Sequence, residues 1–150
     1  MAEDKDVLYQ LSKSLYSKFT ALNEGGEPNA FYTAINGKLY EDRVPDGTDF
    51  PYAVYHIISA VKERTFTEEL RDTLIQLSIF SSSMSSTEVK DLYYKADDLF
   101  DETPLTITGS DLIWLREENL STILTDETTP DGNNIIRQYI IDYSAYTSLE

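Results

Sequence analysis

Apolar residues recur every three or four positions in two stretches of the chain. Residues 4–22 have this spacing, which predicts an amphipathic helix capped by an aspartate near its start. A second helix should follow Ser85 and Glu88, which have the spacing of a capping box, and it should end before Pro104. Its predicted apolar face comprises Val89, Leu92, Tyr93, Ala96, Leu99 and Phe100. The pattern therefore predicts two main helices.

Residues 52–61 are apolar on both faces of a strand. Pro51 favours extended backbone at Phe50, so a strand should begin directly after it. Under strict alternation one face carries Ala53, Tyr55, Ile57 and Val61, and the other carries Tyr52, Val54, His56, Ile58 and Ala60. This pattern predicts a central strand that core, helix or a neighbouring subunit covers on each side.

Two further segments, residues 69–80 and 134–148, alternate between an apolar face and a more polar face. We interpret them as strands of a sheet with one buried side and one partly hydrated side. A brief strand is expected at residues 38–41, after a short helical turn over residues 29–34.

Residues 111–125 form another candidate strand, with a break in the alternation at Glu118 and Asn119. Before the break, Leu112 and Trp114 are predicted to share one face of the strand, and Ile113 and Leu115 the other face. A polar loop over residues 126–133 then leads into the last strand, as in a long hairpin.

The order of helix, strands, helix and strands predicts an α+β domain. Its sheet should be mainly antiparallel or mixed, with four to five strands and the two main helices packed on one face. Residues 1–148 should form this single domain, because a chain of this length can bury one core. The final Leu149–Glu150 resembles a cloning remnant.

The chain is strongly acidic, with 27 acidic and 12 basic residues and a net charge of −15. Such a surface repels phosphates and gains nothing from counterion release, so sequence-specific nucleic-acid binding is not expected. No apolar run reaches the roughly 18 residues of a membrane span, so no membrane partner is expected either. The charge should instead keep an interface-rich protein soluble until it meets its partner.

Patterns that indicate catalysis or cofactor binding are missing from the sequence. His56 is its only histidine and lies in an apolar strand, which favours a structural or interface role. No phosphate-binding glycine loop or nucleophile elbow occurs. Acidic groups at 97–98, 101–102 and 126–131 could bind a hard cation, and residues 68–72 weakly resemble a metal-nuclease cluster. Because acidic loops on so acidic a chain are usually hydrated, we expect no enzymatic activity, cofactor or metal.

Tyrosine is unusually frequent, at 11 residues, and suits surfaces where an apolar ring meets a protein partner with its hydroxyl satisfied. The first helix is followed by Ala34-Ile35-Asn36-Gly37-Lys38-Leu39-Tyr40, then Val44-Pro45, then Phe50-Pro51-Tyr52-Ala53-Val54 entering a strand. A second strand, a serine-opened helix and a hairpin around Pro130-Asp131-Gly132 complete the order. This ordered set resembles the tail-terminator, or tail-completion, proteins of long-tailed bacteriophages over nearly the whole chain.

The resemblance implies a non-enzymatic virion protein, made in the host cytoplasm, that forms a ring at the head-proximal end of the tail tube. The ring is expected to be hexameric, and its implied partners are other copies, the tail tube protein and the head–tail connector protein. A closed ring requires two different complementary patches on each subunit. We expect the subunit or tube interface to include two acidic loops, represented by Asp42, Arg43, Asp46, Asp49, Phe50, Asp126, Glu127 and Asp131.

Three alternatives remain at this point. A head-completion or neck protein would share the missing catalytic groups. An acidic DNA mimic that inhibits a host nuclease would need carboxylates spaced along one face like phosphates. A metal-dependent hydrolase would use the clustered acids.

Overall fold

The architecture is a five-stranded sheet with helices on one side, seen in a computed structural model that describes residues 7–126 and 135–149. The helices of this part of the chain are α1 (Val7–Thr20), α2 (Ala30–Ala34) and α3 (Thr87–Phe100). The strands are β1 (Leu39–Glu41), β2 (Tyr52–Arg64), β3 (Glu69–Ser81), β4 (Ser110–Asp126) and β5 (Ile135–Leu149).

The sheet is mixed, with the strand order β1-β2-β3-β5-β4. β1 pairs with β2 in parallel, and every other neighbouring pair is antiparallel. The predicted α+β class, with a mainly antiparallel or mixed sheet of four to five strands, is confirmed. No helix in the described ranges is both long enough and apolar enough to cross a membrane.

One face of the sheet forms the core together with the helices. The predicted spacing in α1 places Leu11, Leu15 and Phe19 in this core, and α3 contributes a matching buried face. Aromatic contacts connect the helices, because the Phe31 ring lies 5.8 Å from Phe19 and 6.5 Å from Phe100. The buried sheet residues that meet them are Ala53, Tyr55, Ile75, Leu77, Ile79, Leu115, Ile141, Tyr143 and Ala145.

A β-bulge at Ile58 changes the faces predicted for β2. Before the bulge Ile57 pairs with Ile75, whereas after it Ala60 pairs with the buried Thr73. The extra residue shifts the alternation by one, so Ala60 lies on the core side and Val61 on the outer side. The faces predicted for Ala60 and Val61 are therefore wrong, and Val61 is 57% exposed.

Two bulges, at Ile113 and Glu118, likewise shift the alternation of faces in β4. Leu112 and Leu115 face the core side, while Trp114 lies on the outer face opposite Tyr146. The prediction that Leu112 and Trp114 share one face of the strand is therefore wrong. The predicted break at Glu118 is a bulge within one continuous 17-residue strand.

The predicted capping box at the start of α3 is also wrong. The Glu88 carboxylate accepts a hydrogen bond from the Ser81 hydroxyl at 2.5 Å, so it ties α3 to the end of β3. Ser86 is the residue before the helix, and its side chain makes no capping hydrogen bond. The Ser85 hydroxyl instead accepts a bond from the Thr87 N–H at 3.2 Å.

Candidate functional site

The loop over residues 42–50 joins β1 to β2 and is held at both ends. The Asp42 N–H donates to the Tyr55 carbonyl at 2.9 Å, with Asp42 in the left-handed region at φ 64°. Near the other end, Lys38 Nζ donates to the Asp49 carbonyl at 2.8 Å. Asp42, Arg43, Asp46 and Asp49 are all exposed, so the loop presents its charged side chains to solvent.

Phe50 connects this loop to the outer face of the sheet, the face that lies opposite the helices. Its ring stacks on Tyr52 at 5.1 Å and 24°, and Tyr52 stacks on Phe80 at 5.1 Å and 28°. The Phe50–Pro51 peptide is cis. Burial raises the pKa of Tyr52, consistent with a ring held between its neighbours. Of the predicted interface residues in this loop, Phe50 is the one that packs against the domain.

The strand register places the loop over residues 42–50 at the end of the sheet where β4 ends and β5 begins. Tyr52 pairs with Phe80, Phe80 with Gln138, and Gln138 with Ile123, which lies near the end of β4. The last pair of the hairpin is Asp126 with Ile135. Three strand spacings separate β2 from β4, or about 14 Å. Glu127 and Asp131 lie outside the described residues, so their place in the predicted interface stays a prediction.

The opposite end of the outer face carries a second aromatic group, which the sequence did not reveal. Trp114 stacks on Tyr146 at 4.6 Å and 16°, and the Arg116 guanidinium carbon lies 3.9 Å from the centre of the Trp114 ring. The Tyr146 hydroxyl donates to Glu63 at 2.7 Å, and Trp114 Nε1 donates to Ser144 Oγ at 3.2 Å. The bulge at Ile113 turns Trp114 to this face, and no feature of the alternation predicted that bulge.

His56 lies on the outer face in a polar row across the sheet. Its partner across the strands is Gln76, which in turn pairs with Asp142, and Asp142 pairs with Asn119. Gln76 Nε2 donates to Asp142 Oδ1 at the long distance of 3.5 Å. His56 therefore lies on a partly buried polar surface, and its structural or interface role stays a prediction.

Several of the acidic residues considered as metal ligands make other contacts, while residues 127–131 of the third predicted group lie outside the described part of the chain. In residues 68–72, Glu69 pairs with Arg64 at 3.3 Å and with Lys62 at 3.6 Å, while Asp72 accepts from the Ser144 hydroxyl at 2.8 Å. Among residues 7–126 and 135–149, no three His, Asp or Glu side chains are placed to hold a metal ion.

A further group of acidic side chains lies between the end of α3 and β4. The Tyr143 hydroxyl donates to Asp97 at 3.2 Å, the Tyr93 hydroxyl to Glu117 at 2.7 Å, and the Glu117 N–H to Asp101 at 2.8 Å. Burial, with the charges of Glu117 and Asp101, raises the pKa of Asp97 to about 6. Burial also raises the pKa of both tyrosines. These bonds connect α3 to β4 and β5, which gives the cluster a structural role.

A groove between α1 and β1 was also missed from the sequence. Its lining residues include Tyr9, Lys13, Tyr16 and Tyr40, with Glu41 at the strand. Tyr9 is 64% exposed and Tyr16 43% exposed. The signal was present in α1, whose residues 7–20 include two lysines and no acidic residue in a chain of net charge −15.

Comparison with known proteins gives a family and a fold. The sequence profile of the family described as Tail completion protein gp17 matches residues 27–147. No curated protein sequence matches the chain. Among solved structures, a protein of the "Virion of native gene transfer agent (GTA) particle" superposes with a TM-score of 0.75 at 13% identity, over 95% of this chain and 97% of that chain.

A second solved protein superposes with a TM-score of 0.50 at 10% identity, over 95% of this chain and 94% of that chain. At such low identity these two superpositions show a shared fold. The family match is the stronger finding, because it runs from the residues before α2 through all five strands. The resemblance to tail-completion proteins is thus confirmed, and the chain belongs to the Tail completion protein gp17 family.

Proposed function

We propose that this protein caps the tail tube of a phage-like particle as a ring, ends tube polymerisation and provides the surface that joins the tail to the head. The coarser function, a structural protein of the virion tail, follows from the family. The observation that carries the proposal is the family match over residues 27–147. The protein acts without enzymatic chemistry, at the head-proximal end of the tail.

The sheet supports a ring because its two lateral sides are different. β4 pairs only with β5, and β2 beyond Ile57 pairs only with β3, so each side of the described sheet has a free strand edge. A long free edge invites pairing with another chain. Two unlike edges on one subunit are what a head-to-tail ring requires.

The end of the sheet that carries the loop over residues 42–50 supports contact with the tube. This loop lies at the end of the sheet where β4 ends and β5 begins, and its aspartates are exposed. A ring of such subunits would present a circle of acidic loops on one rim. We propose that this rim contacts the tail tube protein, while the opposite rim contacts the head–tail connector protein.

Imaging of purified protein mixed with purified tail tubes tests the proposal. Electron microscopy should show extra density at one end of each tube and no further growth when tube subunits are added. Tubes that keep growing, or protein bound along their length, would contradict capping. In particles, labelled protein on the head would favour the neck or head-completion alternative.

A matched pair of variants tests the loop. Asp46→Asn with Asp49→Asn removes two charges from the proposed rim, and Glu24→Gln with Glu27→Gln removes two from exposed positions after α1. We expect the first variant to cap fewer tube ends and the second to cap as well as wild type. Deletion of residues 46–49 should abolish capping, and normal capping by that deletion would refute the role of the loop.

A further inference from the structure

Asp46 and Gly47 form an exposed aspartate–glycine pair in the loop over residues 42–50. In such a pair the side-chain carboxyl group precedes the least hindered type of backbone nitrogen, because glycine has no Cβ to crowd its approach. Apart from the neighbouring residues of the chain, no described atom lies within 4 Å of the place that a Cβ of residue 47 would occupy. The space around this pair is therefore open.

Neither reacting group of the pair is held by a hydrogen bond. Among the described residues, the Gly47 N–H has no acceptor and the Asp46 carboxylate has no donor or cation. The Thr48 N–H and hydroxyl both donate to the Pro45 carbonyl, at 3.3 and 2.6 Å, so the turn is closed by the residues on either side of the pair. The Gly47 nitrogen can thus approach the Asp46 carboxyl carbon without either group giving up a bond of its own.

Asn36 and Gly37 form a second pair of this kind, and the sequence alone would favour it, because asparagine cyclises faster than aspartate in unfolded chains. The structure protects this pair. The Gly37 N–H donates to the Tyr32 carbonyl at 2.9 Å, and the residues that flank the pair, Ile35 and Leu39, are buried in the core. A backbone nitrogen whose hydrogen is bonded in the folded state can attack only when the segment opens.

We propose that Asp46 is a site of spontaneous isomerisation, at which the unassembled protein converts the Asp46–Gly47 link into an isoaspartyl link. In the first step the Gly47 nitrogen attacks the carbon of the protonated Asp46 carboxyl group. A C–N bond forms, the C–OH bond breaks, and the hydroxyl leaves with the amide hydrogen as water. The product is a five-membered succinimide ring.

The second step opens this ring from its other side. Water adds to the main-chain carbonyl carbon of Asp46, and the original peptide C–N bond to Gly47 breaks. The water lost in the first step is thereby regained, so the protein keeps its mass and no other reactant is needed. The main chain now runs through the Cβ of residue 46, and the carboxylate is attached to its Cα.

The reaction lengthens the main chain of the loop by one carbon. Because this loop is proposed to contact the tail tube, conversion of the free protein before assembly should weaken capping. This consequence rests on the proposed function, whereas the reaction at Asp46 does not.

Peptide mapping of aged protein tests the site. Trypsin places the aspartate–glycine and asparagine–glycine pairs in separate peptides, with Asp46–Gly47 in 44–62, Asn36–Gly37 in 19–38 and Asp131–Gly132 in 117–137. Isoaspartate at residue 46 gives a second form of peptide 44–62, with the same mass and a different retention time, which protein isoaspartyl methyltransferase methylates. Reaction at Asn36 raises the mass of its peptide instead, because an amide becomes a carboxyl group.

Incubation in concentrated urea for the same time gives the rate of each pair in the unfolded chain. In the folded protein, Asp46 should isomerise within about threefold of its unfolded rate, whereas Asn36 should react at least about tenfold more slowly than its unfolded rate. Asp46→Glu should remove the second form of peptide 44–62, because glutamate would have to close a larger ring. Asp49→Glu makes the same change in the same loop and should react as wild type does, since Asp49 precedes Phe50.

Three results would overturn the site. They are a peptide 44–62 that stays in one form, a second form that persists in Asp46→Glu, and a folded rate at Asp46 more than about tenfold below the unfolded rate. Reaction of Asn36 at its unfolded rate would overturn the protection assigned to the Tyr32 bond.

Tube capping by fresh and aged samples, compared within each variant, tests the consequence for assembly. Capping should fall with age in wild type and in Asp49→Glu, and Asp46→Glu should keep its own starting value. Isoaspartate that forms without any loss of capping would leave the modification site and remove its effect on assembly. Fresh wild-type protein that fails to cap tubes would remove the proposed function and leave the modification site.

Discussion

Asp97 is placed where its negative charge weakens the fold. It lies near the C-terminal end of α3, a helix with no basic residue in its last turn, so the helix dipole also disfavours the carboxylate. Burial and the nearby carboxylates of Glu117 and Asp101 raise the pKa of Asp97 from 3.8 to about 6. Asp97→Asn removes the charge and keeps an oxygen that can accept the Tyr143 hydroxyl. We therefore expect the substitution to stabilise the protein at pH 8.

The magnitude follows from the raised pKa of Asp97. A rise from 3.8 to about 6 corresponds to at most about 3 kcal/mol of unfolding free energy. Because the side chain is only half-buried, solvent screening should leave about 1 kcal/mol. The folded state binds the proton more tightly than the unfolded state, so this penalty is complete above pH 6 and is lost as the pH falls from about 6 to about 4.

Urea unfolding of wild type and Asp97→Asn between pH 8 and pH 5 measures this effect. The advantage of the variant should be about 1 kcal/mol at pH 8 and smaller at pH 5, where part of the Asp97 carboxyl of the folded protein is protonated. Asp98→Asn is the control, because Asp98 is the next residue of the same helix end and is exposed. It should change stability by a few tenths of a kcal/mol at most. An Asp97→Asn protein that is less stable than wild type at pH 8, or equally stabilised at both pH values, would refute the reasoning.

Two further predictions concern the segment between α1 and β1. Gly37→Ala should destabilise the fold by about 2 kcal/mol, because Gly37 has φ +73° and an added Cβ would lie 3.0 Å from the Tyr32 ring. Gly47→Ala, at φ +82° with open space around it, should cost only about 1 kcal/mol, and equal losses in thermal unfolding would contradict the ring contact. Asn29→Ala should cost about 1–2 kcal/mol, since Asn29 caps α2 at 2.8 Å and donates to the Phe19 carbonyl at 2.7 Å. A loss below about 0.5 kcal/mol in urea unfolding would show that these bonds contribute little.

The spacing of apolar residues predicted the helices and strands well, because this spacing reflects which side chains are buried. The apolar spacing in α1 and α3 marked residues such as Leu11 and Val89, which are fully buried. The alternation in β3 and β5 predicted the core face on which Ile79 and Ile141 lie. The order of these elements was enough to give the fold class and the family.

Bulges and pairing partners could not be predicted in the same way. Ile58 and Ile113 are apolar residues in apolar strands, so nothing in their type indicates that each occupies the extra position of a bulge. Glu118 does interrupt the pattern, but the interruption predicts a break in the strand where the structure has a bulge. The parallel pairing of β1 with β2 depends on the path of the intervening loop, which local sequence does not encode. The free edge of β2 depends on that pairing, because β2 becomes an edge only where β1 stops.

The high net charge and the open edges impose opposite requirements on assembly. A charge of −15 on every copy repels other copies at a distance, which protects two free strand edges from indiscriminate pairing. At 0.15 M salt this repulsion is screened beyond about 8 Å, so charges far from a contact no longer oppose it. At contact distance only the charges close to the interface act. Physiological salt therefore lets the free edges of two copies approach, while the overall charge still opposes association at low ionic strength.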